Sequence, residues 1–275
     1  MVDRRWRSGM CVLGLVCVVW CSTAKAEESV FKVVRRYDAV EAHQGVAVDA
    51  THFYAITNRA IGKYEKLTGK RVANWVATKE RPLIHLNGGT VVGNRLYCAH
   101  SNSPNKPATS SLEIWDTKTL KHIGTRSFGI YDGSLTWIER HDNAWWAVFA
   151  HYTSDFKKGT TQTDTRWTSL VKFNDDWQRQ QAWVFPPEVI ARFEPTSNSG
   201  GSWGPDGLVY CTGHDRPELY ALKLPKAGST LVLVKTVPIE NTGQEISWDR
   251  SQPGTIFAID RKRKQVVVSR LVRKK

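Results

Sequence analysis

A unit of strand-forming residues recurs five times along the chain, and no other feature of the sequence constrains the fold as tightly. Each unit opens with a glycine and a short apolar strand, turns into a second strand rich in aromatic residues, and continues into two further strands. The units begin at Gly45 (GVAVDATHFYAITN), Gly89 (GTVVGNRLYCAH), Gly133 (GSLTWIERHDNAWWAVFAH), Gly201 (GSWGPDGLVYCTGH) and Gly243 (GQEISWDRSQPGTIFAID). These starts lie 44, 44, 68 and 42 residues apart, and the long interval holds a polar insertion from Tyr152 to Arg166. Without the insertion, the period is that of a four-stranded propeller blade. The pattern predicts an all-β fold, a five-bladed β-propeller; an open β-sandwich or a six-bladed ring stays compatible with it.

Within the first unit the strands are expected at Gly45 to Val48, Phe53 to Thr57, Ala60 to Lys66 and Arg71 to Val76. Leu67-Thr68-Gly69-Lys70 joins the last two, its glycine suiting a hairpin position of positive φ. The second unit repeats the plan, with Ser111 to Asp116 as its third strand, and neither unit contains a segment that asks to be a helix. The fifth unit is one strand short, because only Thr255 to Ile259 and Gln265 to Leu271 follow its first strand. Phe31 to Arg36, far upstream, is expected to supply the missing strand and so close the ring without leaving an open edge.

Residues 1–26 read as an export signal rather than part of the fold. Arg4, Arg5 and Arg7 precede an apolar run from Met10 to Val19, and Ala24-Lys25-Ala26 forms a small-x-small cleavage site before Glu27. Residues 27–275 are then one propeller domain, secreted or periplasmic and expected to be monomeric, with no later stretch apolar enough to cross a membrane. Removing the signal leaves Cys98 and Cys211, which fall at matching positions in different blades and read as small buried side chains rather than a disulfide framework. The formal net charge of +13 favours anionic partners. The basic residues are nevertheless scattered, and the one dense run, Arg261-Lys262-Arg263-Lys264, falls in a predicted hairpin turn, which argues against nucleic-acid binding.

Propeller topology places the turns between second and third strands on the same face as the connections entering each blade. That face collects His43, Gln44, His85, Asn87 and Asp132 from the connections, and Asn58, His100, His151, His214 and Asp260 from the ends of the second strands. Two long loops, Ser101 to Thr109 and Tyr152 to Trp167, rise over the same face as walls of an expected pocket. Three readings of the histidines are open. His100, His151 and His214 could share a divalent metal, although they lack local ligand spacing. They could instead exchange protons without a cofactor, oriented by Asp132 or Glu245. They could also bond to backbone groups between blades. On the catalytic reading the residues are His151, His100, His214, Asp132 and Glu245. Gln44, Asn87, Arg166, Trp137, Trp203 and Trp248 are the expected substrate contacts, the three tryptophans lying in first strands where they face either the central channel or a neighbouring sheet. No phosphate-binding loop and no strand-to-helix nucleophile elbow is present.

Gln44-Gly45 followed by Phe53-Tyr54, Gly88-Gly89-Thr90 followed by Asn94-Arg95-Leu96-Tyr97, and Ser202-Trp203-Gly204-Pro205-Asp206-Gly207 together give a pattern that resembles, at a distance, the five-bladed glutaminyl cyclases of plants and bacteria. The resemblance implies cyclisation of an N-terminal glutamine at the channel mouth, with a glutamate beside the second blade's glycine carrying the proton transfers. This chain has Asn87 at that place, and an amide is no general base at neutral pH. Two function classes therefore stand: an exported propeller that binds a small polar or anionic molecule and performs cyclase, lyase or lactonase-like acid–base chemistry on it, and a non-catalytic propeller that recognises a protein, peptide or glycan.

Overall fold

The computed structural model describes residues 29–153 and 164–273; the expected export signal and the middle of the Tyr152–Trp167 loop lie outside them. Blade one is β2 (Gly45–Val48), β3 (His52–Ile56), β4 (Ala60–Glu65) and β5 (Arg71–Val76), and blade two is β6 (Leu86–Val92), β7 (Arg95–Ser101), β8 (Ser110–Asp116) and β9 (His122–Gly129). Blade three is β10 (Ser134–His141), β11 (Ala144–Ala150), β12 (Ser169–Phe173) and β13 (Arg179–Val184); blade four is β14 (Gly200–Trp203), β15 (Val209–Thr212), β16 (Glu218–Lys223) and β17 (Val232–Pro238). Blade five takes β18 (Ile246–Trp248), β19 (Thr255–Asp260) and β20 (Gln265–Arg273), with β1 (Ser29–Asp38) antiparallel to β20 as its outermost strand. The five sheets make a five-bladed β-propeller, and Gly69 of the first hairpin has φ +75.

Burial follows strand position within the blade. The innermost strand β2 and the second strand β3 are buried along nearly their whole length, because each blade is covered on both faces by its neighbours, whereas the outermost strand β5 alternates between exposed and half-buried. A separate apolar cluster fills each interface between adjacent blades: Tyr54, Leu96 and Trp115 between blades one and two; Tyr97, Trp145 and Phe149 between two and three; Trp137, Trp146 and Trp203 between three and four; Tyr210, Trp248 and Ile256 between four and five. The fifth cluster, with Tyr37, Phe53 and Phe257, packs blade five against blade one. Each such large buried side chain stabilises the ring by roughly 1.5–3 kcal/mol. Lys66 adds a polar clasp on the far face, donating to Asp249 Oδ2 at 2.6 Å, Asp49 O at 2.9 Å and Ser251 Oγ at 3.0 Å.

Two differences from the sequence reading have local causes. The connection from blade three to blade four contains a helix, α1 (Pro187–Phe193), which starts on a proline, carries Glu188 in its first turn and buries Val189, Ile190 and Phe193. The register of β1 slips between Val33 and Arg35, and the intervening Val34 is left exposed as a bulge. No helix among the described residues is long and apolar enough to cross a membrane.

Candidate functional site

The turns after second strands and the connections entering each blade meet on one face. Leu86 N–H donates to Asn58 O at 3.0 Å, Ser101 N–H to His85 O at 3.0 Å, and the Gln44 amide Nε2 to Asn58 Oδ1 at 2.7 Å. Over blades one and two these segments enclose a cleft of about 530 Å³, lined by Gln44, Asn58, Arg59, Ile84, His85, Ser103, Pro104, Asn105 and Arg261. The Ser101–Thr109 loop forms one wall, and Arg261 reaches in from blade five.

Arg261 organises the cleft. Its Nε donates to His43 Nε2 at 3.0 Å and its Nη1 to His214 Nε2 at 3.0 Å. A guanidinium has donors only, so both imidazoles present lone pairs to it. The other nitrogen of His214, Nδ1, donates to the Asp215 carboxylate at 2.6 Å. Burial and the nearby charges of Arg261 and Lys264 lower the pKa of His43. Burial pushes His85 down to about 4, helped by His100, Arg261 and His43, so its ring is uncharged at neutral pH.

The remaining residues singled out in the sequence fall into three groups. His100 is fixed on both ring nitrogens: Nε2 accepts from Ile84 N–H at 3.3 Å, and Nδ1 donates to Ser111 Oγ at 2.9 Å, which passes a 2.6 Å hydrogen bond to Glu113. It braces the Ile84–His85 wall from behind. His151 donates through Nε2 to Asp132 O at 3.0 Å and sets its ring edge-on to Trp167, while the Asp132 carboxylate pairs with Arg179 and Arg166 folds back on Asp164. These groups sit over blade three, apart from the cleft lining. Among the described residues no three His, Cys, Asp or Glu side chains stand close enough to hold one metal ion. His100, His151 and His214 therefore do not make the shared three-imidazole set that the sequence left open.

Near the axis lie Glu245, Asn87 and the inner-strand tryptophans. Glu245 is fully buried, its side chain pressed against Gly88, where a Cβ would collide with the carboxyl. Its Oε1 receives only a long 3.5 Å bond from Gly201 N–H and its Oε2 none among the described residues, so burial raises its pKa well above the usual carboxylate range. Asn87 is spent on a 2.8 Å bond to Leu135 O that ties blade two to blade three. Trp137, Trp203 and Trp248 are buried in the interblade clusters; Trp137 donates to Asn198 Oδ1 at 2.9 Å, Trp203 stacks on His141, and Trp248 packs edge-on against Tyr210. Cys98 and Cys211 are buried free thiols with pKa values raised by burial.

Arg261 is the residue that sequence reasoning passed over, taken there as part of a solvated basic turn. A signal for it existed. It follows Asp260 at the end of a second strand, the blade corner that in blade one carries Asn58 and Arg59.

The fold and the corner cleft define a five-bladed β-propeller with a small polar site on one face. No protein-family model and no curated protein matches the sequence. In structure the chain is similar to the glutaminyl cyclase of Myxococcus xanthus, with a TM-score of 0.61 and 14% identity over 91% of this chain and 100% of that one. It is also similar to hydrazine synthase of Kuenenia stuttgartiensis, with a TM-score of 0.50 and 10% identity over 84% of this chain and 83% of that one. At these identities the likeness establishes the propeller fold, and the resemblance to the cyclase family is a distant one.

Proposed function

We propose that this protein is a ligand-binding propeller that takes one small polar molecule in the cleft over blades one and two. The observation that carries the reading is the convergence of an amide pair, an uncharged imidazole and a guanidinium, drawn from three blades, on a concave site of about 530 Å³. A volume of this order suits a small molecule better than a folded partner, whose recognition needs a broad surface. Binding at this site calls for no cofactor. The amino-terminal run supports export to the periplasm or cell exterior, and a secreted chain beginning at Glu27 is the expected product in mass spectrometry.

Titration of the full chain with a panel of small polar molecules tests the reading. A ligand of this cleft shifts the ring signals of His85, assigned with a His85→Gln variant. Ligands that move only the Trp167 ring over blade three, and never His85, would overturn it.

One observation favours a second reading, acid–base chemistry on the bound molecule. Glu245 is a buried carboxyl whose pKa burial raises well above the usual range, with one oxygen unpartnered among the described residues, and its backbone N–H donates to Gln44 O at 3.3 Å beneath the cleft. On that reading Glu245→Gln keeps ligand affinity and removes turnover. Equal turnover by the variant would reject it.

A further inference from the structure

We infer that Arg261 is an anion-recognition residue and that the ligand of the corner cleft carries a small oxyanion, a carboxylate or a phosphate, which the unpaired edge of the guanidinium receives. This rests on the proposed use of the cleft and adds the ligand's chemical class.

The two hydrogen bonds to His43 and His214 fix the plane of the guanidinium without neutralising it, since both partners accept through uncharged lone pairs. They consume Nε–H and one N–H of Nη1. Among the described residues, Nη2 and the second N–H of Nη1 have no protein partner, and no carboxylate lies within ion-pair distance of Arg261. Asp215, whose charge acts on it from further off, is hydrogen-bonded to the opposite side of the His214 ring. Four other arginines are matched by carboxylates: Arg192 meets Glu218 at 2.8 Å, Arg263 meets Asp260 at 2.8 Å, and Arg179 and Arg250 pair with Asp132 and Glu139.

A half-buried cation held in place but left uncompensated is costly unless an anion completes it. Among the described residues the cleft lining contains no acidic side chain and adds a second guanidinium, that of the exposed Arg59. A guanidinium edge with adjacent N–H groups matches the two oxygens of a carboxylate or phosphate. The same lining is unfavourable to a cationic group such as a peptide N-terminal ammonium, because it presents two positive charges and no carboxylate to meet it.

Three probes test the inference: succinate, its uncharged analogue succinamide of the same length, and the more compact inorganic phosphate, each titrated into the full chain while the His85 ring signals are followed. Succinate or phosphate is expected to shift His85 and to bind about tenfold more weakly, or worse, to Arg261→Gln, with Arg192→Gln unchanged. Arg261→Lys, which keeps the charge but loses the planar edge, is expected to fall between the two. Thermal melts of each variant separate lost binding from lost folding, and the comparison of the acid with its amide needs no variant. A response to succinate alone assigns a carboxylate ligand, and a response to phosphate alone assigns a phosphate. Succinamide binding as tightly as succinate, equally in wild type and Arg261→Gln, would overturn the anion assignment and leave the cleft reading standing. Failure of all three probes to move His85 would overturn both.

Discussion

Two stretches of one rim, the corner over blades five, one and two and the corner over blade three, both gather titratable side chains in the sequence, yet they differ in what their polar groups have left to offer. Over blade three the groups satisfy one another: His151 donates to Asp132 O, Asp132 pairs with Arg179, and Arg166 with Asp164. At the other corner the imidazoles accept from Arg261 and the guanidinium keeps an edge to spare. The difference teaches that a concentration of titratable residues marks a site only where their bonding capacity exceeds what the protein itself consumes.

The largest effect that would sharpen this contrast comes from behind the cleft wall. Glu113 is buried and accepts from Ser111, His122 and Thr125 at 2.6, 2.7 and 2.7 Å; burial alone would raise its pKa, but these donors outweigh it and hold the carboxylate below its ordinary value. Glu113→Ala is expected to cost about 3 kcal/mol in chemical denaturation, because it strands His122 and releases the Ser111–His100 brace. A loss under about 1 kcal/mol would show that the brace is not holding Ile84 and His85.

Acid comes next in size. His85 is held at about 4 against 6.5 when unfolded, so its contribution to stability is complete above pH 6.5 and is lost as pH falls toward 4. The groups that face it, His43, His100 and Arg261, with Arg59 in the same lining, all disfavour an added positive charge, and His43 and His100 are themselves lowered. Wild type should lose up to about 3 kcal/mol over that interval through His85, and His85→Gln should lose correspondingly less. Parallel stability curves would contradict the burial of an uncharged ring.

Glu245 titrates in the opposite sense. Its folded pKa is raised, so its stabilising contribution is full below the unfolded carboxylate value and declines as pH rises toward the folded one. The melting temperature of Glu245→Gln relative to wild type is therefore expected to increase from pH 4.5 to pH 7, and a difference that stays flat would mean the carboxyl is ionised in the fold. The smallest effect is expected over blade three, where Arg179→Gln breaks an exposed pair, costs less than about 1 kcal/mol and leaves ligand affinity unchanged. A large loss of affinity there would erase the contrast between the two corners.

The blades were legible because glycine-led strands and their spacing are local signals. Gly45 to Val48 and Arg71 to Val76 coincide with β2 and β5, while Phe53–Thr57 is displaced from β3 by one residue. The helix α1 carried its signals too, a proline start and apolar residues at 189, 190 and 193, but strand periodicity around it dominated the reading. Inner-strand tryptophans were ambiguous in principle, since alternate positions face either the axis or the adjacent blade, and packing alone placed Trp137, Trp203 and Trp248 in the cores. Arg261 and Arg263 look alike within one basic run. Their difference lies in their partners, the local Asp260 carboxylate for one and His43, more than two hundred positions away, for the other.

The most direct test is a crystal structure of the chain soaked with succinate. A carboxylate of succinate is expected against Nη2 of Arg261, between the Gln44–Asn58 pair and the His85 ring, with His43 and His214 still accepting from the guanidinium. Succinate seated instead at the Trp167 corner, with the Arg261 cleft holding only water, would contradict it.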